Sequence, residues 1–307
     1  MKVLVLGGNG FIGSHLVDQL LMAGHEVRVF GHSQESFREP LTQVEYHYGD
    51  FNDKDLLSSS LEGIDAVCHL IMSSTPSSSN IDCIADVNAN LVNTLQLLEL
   101  MREKSVHRIL YLSSGGTVYG NPNSLPVREE HALNPISSYG IVKIAIEKYL
   151  YMYRELYGFQ PIILRPSNPY GARQGNVGVQ GLISTILTKL QASKVFEIWG
   201  DGSVVRDYLH VEDLARLSVI ALESNICGVF NAGSGKGYSI NEVIELVNNI
   251  AKKSVEVEYM SARSFDVQKV ILDIEQAKTQ FNWKPNISLY DGVMTEFEAR
   301  HLEHKSK

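Results

Sequence analysis

Three stretches of this chain carry side chains at spacings that chemistry could use. Ser138-Tyr139-Gly140-Ile141-Val142-Lys143 opens a run with helical periodicity, so Tyr139 and Lys143, four residues apart, share one helix face. A lysine ammonium beside a tyrosine favours the phenolate, bringing a pKa that starts at about 10 toward that of a usable base. Taken alone, the pair reads equally as an exposed aromatic beside a lysine whose stem lies along the helix surface. Gly7-Gly8-Asn9-Gly10-Phe11-Ile12-Gly13 follows the apolar run Val3 to Leu6 and opens onto Phe11 to Met22, whose apolar residues recur at helical spacing. The order is strand, glycine turn, helix. Gly7, Gly10 and Gly13 would let the chain turn tightly, let the backbone approach a pyrophosphate and let helix pack on strand, with phosphates held by free amides at the helix N-terminus. The spacing is G-x-x-G-x-x-G, which on glycines alone could serve an ordinary turn; its context favours a dinucleotide. Ser113-Ser114-Gly115-Gly116-Thr117 follows the apolar run Arg108 to Leu112, and small hydroxyl residues at the carboxyl end of a strand are well placed to bind a reacting oxygen.

The elements that must position these residues alternate along the chain. Glu26 to Phe30, Val44 to Tyr48 and Asp65 to Ile71 read as further strands, and Ile81 to Lys104 and Ser137 to Tyr157 as long helices. Strands alternating with helices predict an α/β fold with a parallel sheet. The residue just past the second strand would meet the adenosine ribose, where an Asp or Glu accepts bonds from both hydroxyls. Here stands Gly31-His32-Ser33. Either His32, Ser33 and Arg38 contact a 2′-phosphate, so that NADP is accepted, or the Gly31 amide meets the ribose of NAD. Asp50 and Phe51 end the third strand where an adenine ring would rest. Ser73 to Ser79 reads as a solvated loop or, because it leaves the end of a central strand, as a flank of the ligand. Asn90 falls near the middle of a helix, usually a place for a local hydrogen bond.

At 307 residues, 44% of them hydrophobic, the chain suits one large domain plus a smaller one. Its 27 basic and 35 acidic residues give a formal charge of −8 with no long run of either sign, which recommends neither nucleic acid nor a membrane surface as partner. No apolar run approaches the roughly 20 residues of a membrane span, and no signal-peptide pattern precedes Lys2, so a cytoplasmic protein is expected. Cys68, Cys83 and Cys227 are scattered without metal-ligand spacing, and neither a metal nor a disulfide framework is expected.

The glycine turn, the hydroxyl cluster and Tyr139-x-x-x-Lys143 together resemble the extended short-chain dehydrogenase/reductase superfamily. Leu164-Arg165-Pro166-Ser167-Asn168-Pro169-Tyr170-Gly171 and the stretch from Trp199-Gly200-Asp201-Gly202 through Arg206-Asp207-Tyr208 to Asp213 resemble its nucleotide-sugar branch, the UDP-glucose 4-epimerase-like enzymes. The resemblance covers nearly the whole chain. It implies a Rossmann-type doubly wound sheet over residues 1–170, with 205–224 returning to it, and a smaller C-terminal α/β substrate-binding lobe over 171–307. It implies NAD held by Gly7, Gly10, Phe11, Ile12, Gly13, His32, Ser33, Asp50, Phe51, Leu70, Ile71, Asn90, Ser113, Tyr139 and Lys143. Tyr139 becomes the base and Lys143 its electrostatic partner and ribose ligand. Asn168, Arg206, Arg263 and Asp266 become ligands of the substrate diphosphate, for which a guanidinium fork is well suited. Arg206 could instead pair with Asp207 or cap the helix that follows.

One departure bears on catalysis: the family's usual serine falls on Gly115, so either Thr117, the favoured candidate, or Ser114 binds the sugar oxygen, or Tyr139 does that work alone. The implied activity is 4-epimerisation of a UDP-hexose-like nucleotide sugar through a 4-keto intermediate. The alternative is an NAD(P)H-dependent reductase of a dTDP- or GDP-4-keto-6-deoxyhexose, and more remotely a dinucleotide-binding regulator without turnover. The two long helices resemble the pair that family dimers pack together, so a homodimer is expected; the product serves either polysaccharide biosynthesis, which the resemblance favours, or central sugar metabolism.

Overall fold

The computed structural model describes residues 1–175, 181–261 and 267–305. Its strands, numbered along the chain, are β1 (Lys2–Leu6), β2 (Glu26–Gly31), β3 (Val44–Tyr48), β4 (Ala66–His69), β5 (Arg108–Leu112), β6 (Gln160–Pro166), β7 (Asn168–Tyr170), β8 (Phe196–Trp199), β9 (Val205–His210), β10 (Gly228–Ala232), β11 (Gly237–Ser239), β12 (Val257–Met260) and β13 (Lys269–Val270). The helices are α1 (Phe11–Met22), α2 (Lys54–Ser60), α3 (Cys83–Asp86), α4 (Asn93–Glu103), α5 (Ser138–Tyr157), α6 (Leu182–Gln191), α7 (Val211–Glu223), α8 (Ile240–Ala251), α9 (Glu275–Phe281) and α10 (Leu289–Lys305).

A seven-stranded sheet in the order β10-β6-β5-β4-β1-β2-β3 organises the larger part, and every pairing in it is parallel. Its strands are buried on both faces, which is why they read as continuous apolar runs. Val3, Val5, Cys68, Leu110 and Leu164 point into one apolar layer, and Leu4, Leu6, Val67, Ile109 and Ile163 into the other. Helices α1 and α7 close the first layer through Leu16, Leu20, Leu214 and Leu217. Helices α2, α4 and α5 close the second through Leu57, Leu97, Met101, Val142 and Leu150. The strand order reverses between β1 and β4, which opens a crevice at the strands' carboxyl ends where such folds bind ligands. The smaller lobe holds a four-stranded sheet of β11, β9, β13 and β7, the β8–β12 pair and helices α6, α8 and α10 around Ile186, Ile198, Val243 and Val247.

Two expectations need correction. Residues 205–224 return to the large domain through their helix but not through their strand. Helix α7 packs on α1 and β6, but β9 is already flanked by β7, β11 and β13, and the edge beside β6 is filled by β10 in register from Gly228↔Ile162 to Ala232↔Pro166. Nor is Ile81 to Lys104 one helix. A π-helical turn over Val87–Val92 separates α3 from α4, and side chains bond back to carbonyls there: Asn90 Nδ2 to Asp86 O at 3.0 Å, Asn93 Nδ2 to Ala89 O at 3.1 Å and Thr94 Oγ1 to Asn90 O at 2.6 Å. Such turns concentrate at functional sites.

An ion pair lies between sheet and helix. Arg165 on β6 donates to Glu147 on α5 through Nη2 at 2.6 Å and Nε at 3.0 Å, with both side chains 4% exposed. Arg165 also donates to the Tyr119 hydroxyl at 2.9 Å and to Glu129 O at 3.1 Å, while Ser113 Oγ donates to Glu147. Removing one partner leaves an uncompensated buried charge, so Arg165→Met is expected to lower unfolding free energy by about 3–5 kcal/mol, with much of the loss recovered in R165M/E147L. Urea denaturation followed by circular dichroism measures both.

Candidate active site

The glycine turn fits an anion. Gly7 has φ +83°, a conformation that favours glycine, and a side chain at Gly13 would put Cβ 2.1 Å from Gly7 O, so helix and turn could not approach with any other residue there. Gly10 caps α1 without a side-chain bond, and the first turn carries no carboxylate. The amides of Phe11, Ile12 and Gly13 are therefore without a side-chain acceptor at the positive end of a helix dipole. Leu70 and Ile71 leave β4 against this turn, the Ile71 side chain and amide standing 3.4 Å from the position a Gly7 Cβ would take. This cradle suits a dinucleotide pyrophosphate.

Around the adenosine end, Phe51 is buried against His69, ring centroids 5.3 Å apart, and Asp50 is exposed, its carboxylate accepting the Asn52 amide at 3.2 Å. His32 and Ser33 are exposed, and Ser33 O accepts Asn9 Nδ2 at 2.7 Å, folding the loop after β2 over the glycine turn. Arg38 is not free to take a 2′-phosphate, contrary to one expectation. It pairs with Asp18 on α1 and with Glu35 at 3.0 Å, two carboxylates that already neutralise it.

Tyr139 and Lys143 come together at the first turns of α5. Lys143 is buried, donates to Leu112 O at 2.6 Å, and stands 4.8 Å over the Tyr111 ring and 5.5 Å over the Tyr139 ring. Burial lowers Lys143 to about 7, against the opposing pull of the Glu147 and Asp86 carboxylates. Burial likewise raises Tyr139 to about 12, opposed by a hydrogen bond from the Ser114 hydroxyl and reinforced by Asp86. The chain by itself thus keeps Tyr139 protonated at neutral pH; a positively charged group bound beside it would favour the phenolate.

The hydroxyl cluster divides its roles. Ser113, expected at the cofactor, turns its hydroxyl inward to Glu147. Ser114 favours ionisation of Tyr139, and Thr117 Oγ1 is buried with no hydrogen-bond partner. A Cβ on Gly115 would stand 2.6 Å from Leu272 Cδ1 and 2.9 Å from Arg165 O, so that position has no room for a serine. Asn90 is also committed: Oδ1 accepts Ser73 N and Oγ at 2.9 and 3.0 Å, and Nδ2 donates to Asp86, so its side chain shapes the serine loop rather than reaching a cofactor.

Asn168 and Arg206 lie together where the small sheet begins, Asn168 Nδ2 donating to Asp207 O at 3.0 Å and Arg206 Nη1 to Val205 O at 3.0 Å. Asp207 does not pair with Arg206; it is buried and accepts from Ser234 N and Oγ at 2.8 and 2.7 Å. Arg263 and Asp266 lie outside the described residues. Sequence reasoning missed Asp86, Arg165 and Glu147. Glu147 had a signal, since it continues the Tyr139, Lys143 spacing by one more turn.

A doubly wound sheet, a glycine cradle at its switch point and a tyrosine-lysine helix beside a hydroxyl cluster define a dinucleotide-dependent enzyme that moves protons at a hydroxyl or carbonyl. Residues 3–233 match the profile of the NAD dependent epimerase/dehydratase family, and the chain belongs to that family. It is 34% identical over 323 residues to a UDP-glucose 4-epimerase of Halalkalibacterium halodurans, covering 99% of this chain and 96% of that one. It is 31% identical over 307 residues to a dTDP-4-dehydro-6-deoxyglucose reductase of Escherichia coli, covering 95% of each. Among solved structures it resembles the UDP-glucose 4-epimerase of Thermotoga maritima with UDP-glucose, with TM-score 0.93 and 32% identity over 99% of this chain and 100% of that one. The Thermus thermophilus UDP-glucose 4-epimerase complex with NAD gives TM-score 0.91 and 31% identity over 97% and 98%.

Two substitutions check this geometry. Gly13→Ala is expected to abolish dinucleotide binding in titration calorimetry, because the added methyl meets backbone. Gly115→Ser, although it restores the family's hydroxyl, is expected to cost about 1–3 kcal/mol through overpacking, read as a lower melting temperature.

Proposed function

We propose that the chain is an NAD-dependent nucleotide-sugar 4-epimerase acting on a UDP-hexose-like substrate. The observation that carries this reading is the meeting, at the carboxyl edge of one parallel sheet, of the glycine turn after β1 with the Tyr139–Lys143 pair and the hydroxyl segment after β5, in which Thr117 Oγ1 is buried and partnerless. The UDP-glucose 4-epimerases among its relatives and structural neighbours support it. Bound NAD supplies reversible hydride acceptance, so that C4 can pass through a 4-keto sugar and be rebuilt with inverted configuration and no net oxidation.

Tyr139 takes the C4 hydroxyl proton and later returns it; the Ser114 hydroxyl favours the ionised phenol while Lys143 holds positive charge close to the ring. Thr117 binds the sugar oxygen, the part Gly115 cannot play. Asn168 and Arg206, with Arg263 and Asp266, grip the diphosphate. Tight binding of the nucleotide and looser binding of the hexose allow the ring to turn and present its other face. Exposed apolar residues, Ile84 on α3, Val92 on the π-helical turn and Ile141, Tyr151, Met152 and Leu156 on α5, support a homodimer joined there.

The second reading, a reductase of a dTDP- or GDP-4-keto-6-deoxyhexose, is favoured by the Escherichia coli relative and by the missing carboxylate at Gly31. Mass spectrometry of nucleotide released on denaturing the purified protein separates the two. Near-stoichiometric NAD is the expected result; an empty site that binds NADPH more tightly than NADH would transfer the assignment to the reductase. Tyr139→Phe is expected to lower kcat by about 100- to 10,000-fold while leaving nucleotide bound. Ser114→Ala removes a bond to the phenolate, which raises the Tyr139 pKa, so the acid limb of its pH–kcat profile is expected to move to higher pH.

A further inference from the structure

The serine-rich run between β4 and α3 is built against the helix that carries the base. Ser79 Oγ accepts the Tyr139 amide at 3.1 Å, and Asn80 Oδ1 accepts the Ser138 amide at 2.8 Å. These are first-turn amides of α5, which an isolated helix leaves without partners. Behind the contact lies Asp86, 4% exposed. One carboxylate oxygen accepts Ser74 Oγ at 2.6 Å and Asn90 Nδ2 at 2.8 Å; the other accepts Ser138 Oγ at 2.6 Å. The donors come from the serine loop, the π-helical turn and the residue preceding Tyr139. A single buried carboxylate therefore joins three segments at one point.

We propose that Asp86 is a positioning residue of the active site, whose three hydrogen bonds lock the first turn of α5 to the serine loop and so fix where the Tyr139 hydroxyl stands. This rests on the reading of Tyr139 as the base. Its charge has a second consequence. Tyr139 is faced by Lys143 from its own helix, by Asp86 from α3 and by Tyr111 from β5. Lys143 is faced by Glu147 from α5, Asp86 from α3, His69 from β4 and the rings of Tyr111 and Tyr139. A carboxylate at 86 opposes ionisation of Tyr139 and supports the Lys143 ammonium. Neutralising it lowers both pKa values, so both limbs of a pH profile move the same way, toward acid.

Two variants separate geometry from charge. Asp86→Ala removes every bond and is expected to speed hydrogen exchange at the Ser138 and Tyr139 amides by about tenfold or more, as local opening becomes easier. Its kcat for 4-epimerisation is expected to fall about ten- to a hundredfold, the scale of a misplaced reacting group, with KM little changed. Asp86→Asn keeps the shape, since its amide nitrogen can donate to the Ser138 hydroxyl. It is expected to preserve exchange protection while shifting both limbs of the pH–kcat profile to lower pH. Wild-type exchange and kcat in D86A, or an unmoved profile in D86N, would overturn the proposal; D86N decides it alone should D86A not fold. Exchange is read on the purified chain whatever sugar it turns over. A wild-type protein without 4-epimerase turnover would therefore count against the proposed function, while the amides of D86A still judge Asp86.

Discussion

Burying an ammonium beside a phenol is costly in a medium that solvates neither, and the polar architecture around the sheet's carboxyl edge follows from that cost. Lys143 donates to Leu112 O and looks onto two aromatic faces. Its charge is supported by Glu147 one turn along the helix and by Asp86 across from it. Each carboxylate is in turn held by its own donors. Arg165 and Ser113 converge on Glu147; Ser74, Asn90 and Ser138 converge on Asp86. The two sets of bonds reach β5, β6, α3, the π-helical turn and the serine loop, so one buried cation ties together the elements that enclose the crevice.

The sequence is most readable where the physics is local. A parallel strand buried on both faces must be apolar throughout, which made β1, β5 and the glycine turn after β1 legible. Tyr139 and Lys143 were legible because helical spacing alone puts them on one face. What could not be read is what depends on distant partners. Ser79 bonds the backbone of a residue 60 positions away, and nothing local to Ser73 through Ser79 distinguishes such a loop from a solvated one. Ser113 and Asn90 had the right types for ligand contacts, yet their polar atoms are claimed by Glu147, Asp86 and Ser73. The π-helical turn was hidden for the same reason: its apolar spacing suits a plain helix, and the side chains that bond back to carbonyls within it, Asn90 and Asn93, are of types common in any loop or helix.

Gly115 shows how a missing catalytic group can follow from packing at another place. The segment before α9 crosses from the small lobe to the large one. Its β13 lies beside β9, then Val127 N donates to Ile271 O and Asp273 N to Val127 O, both at 2.8 Å, and Asn231 Nδ2 reaches Asp273 O at 3.0 Å. Leu272, fully buried, is thereby pressed over Gly115, with its amide held by Asp207 at 3.2 Å. A serine at 115 and a leucine seated there compete for one volume, and Asp207, also buried, fixes the leucine's backbone as well as the Ser234 turn. The strap that couples the lobes therefore excludes a hydroxyl at 115. The hydroxyls on either side are untouched by that packing: Ser114 stays near enough to favour ionisation of Tyr139, and Thr117 keeps its oxygen buried and unclaimed.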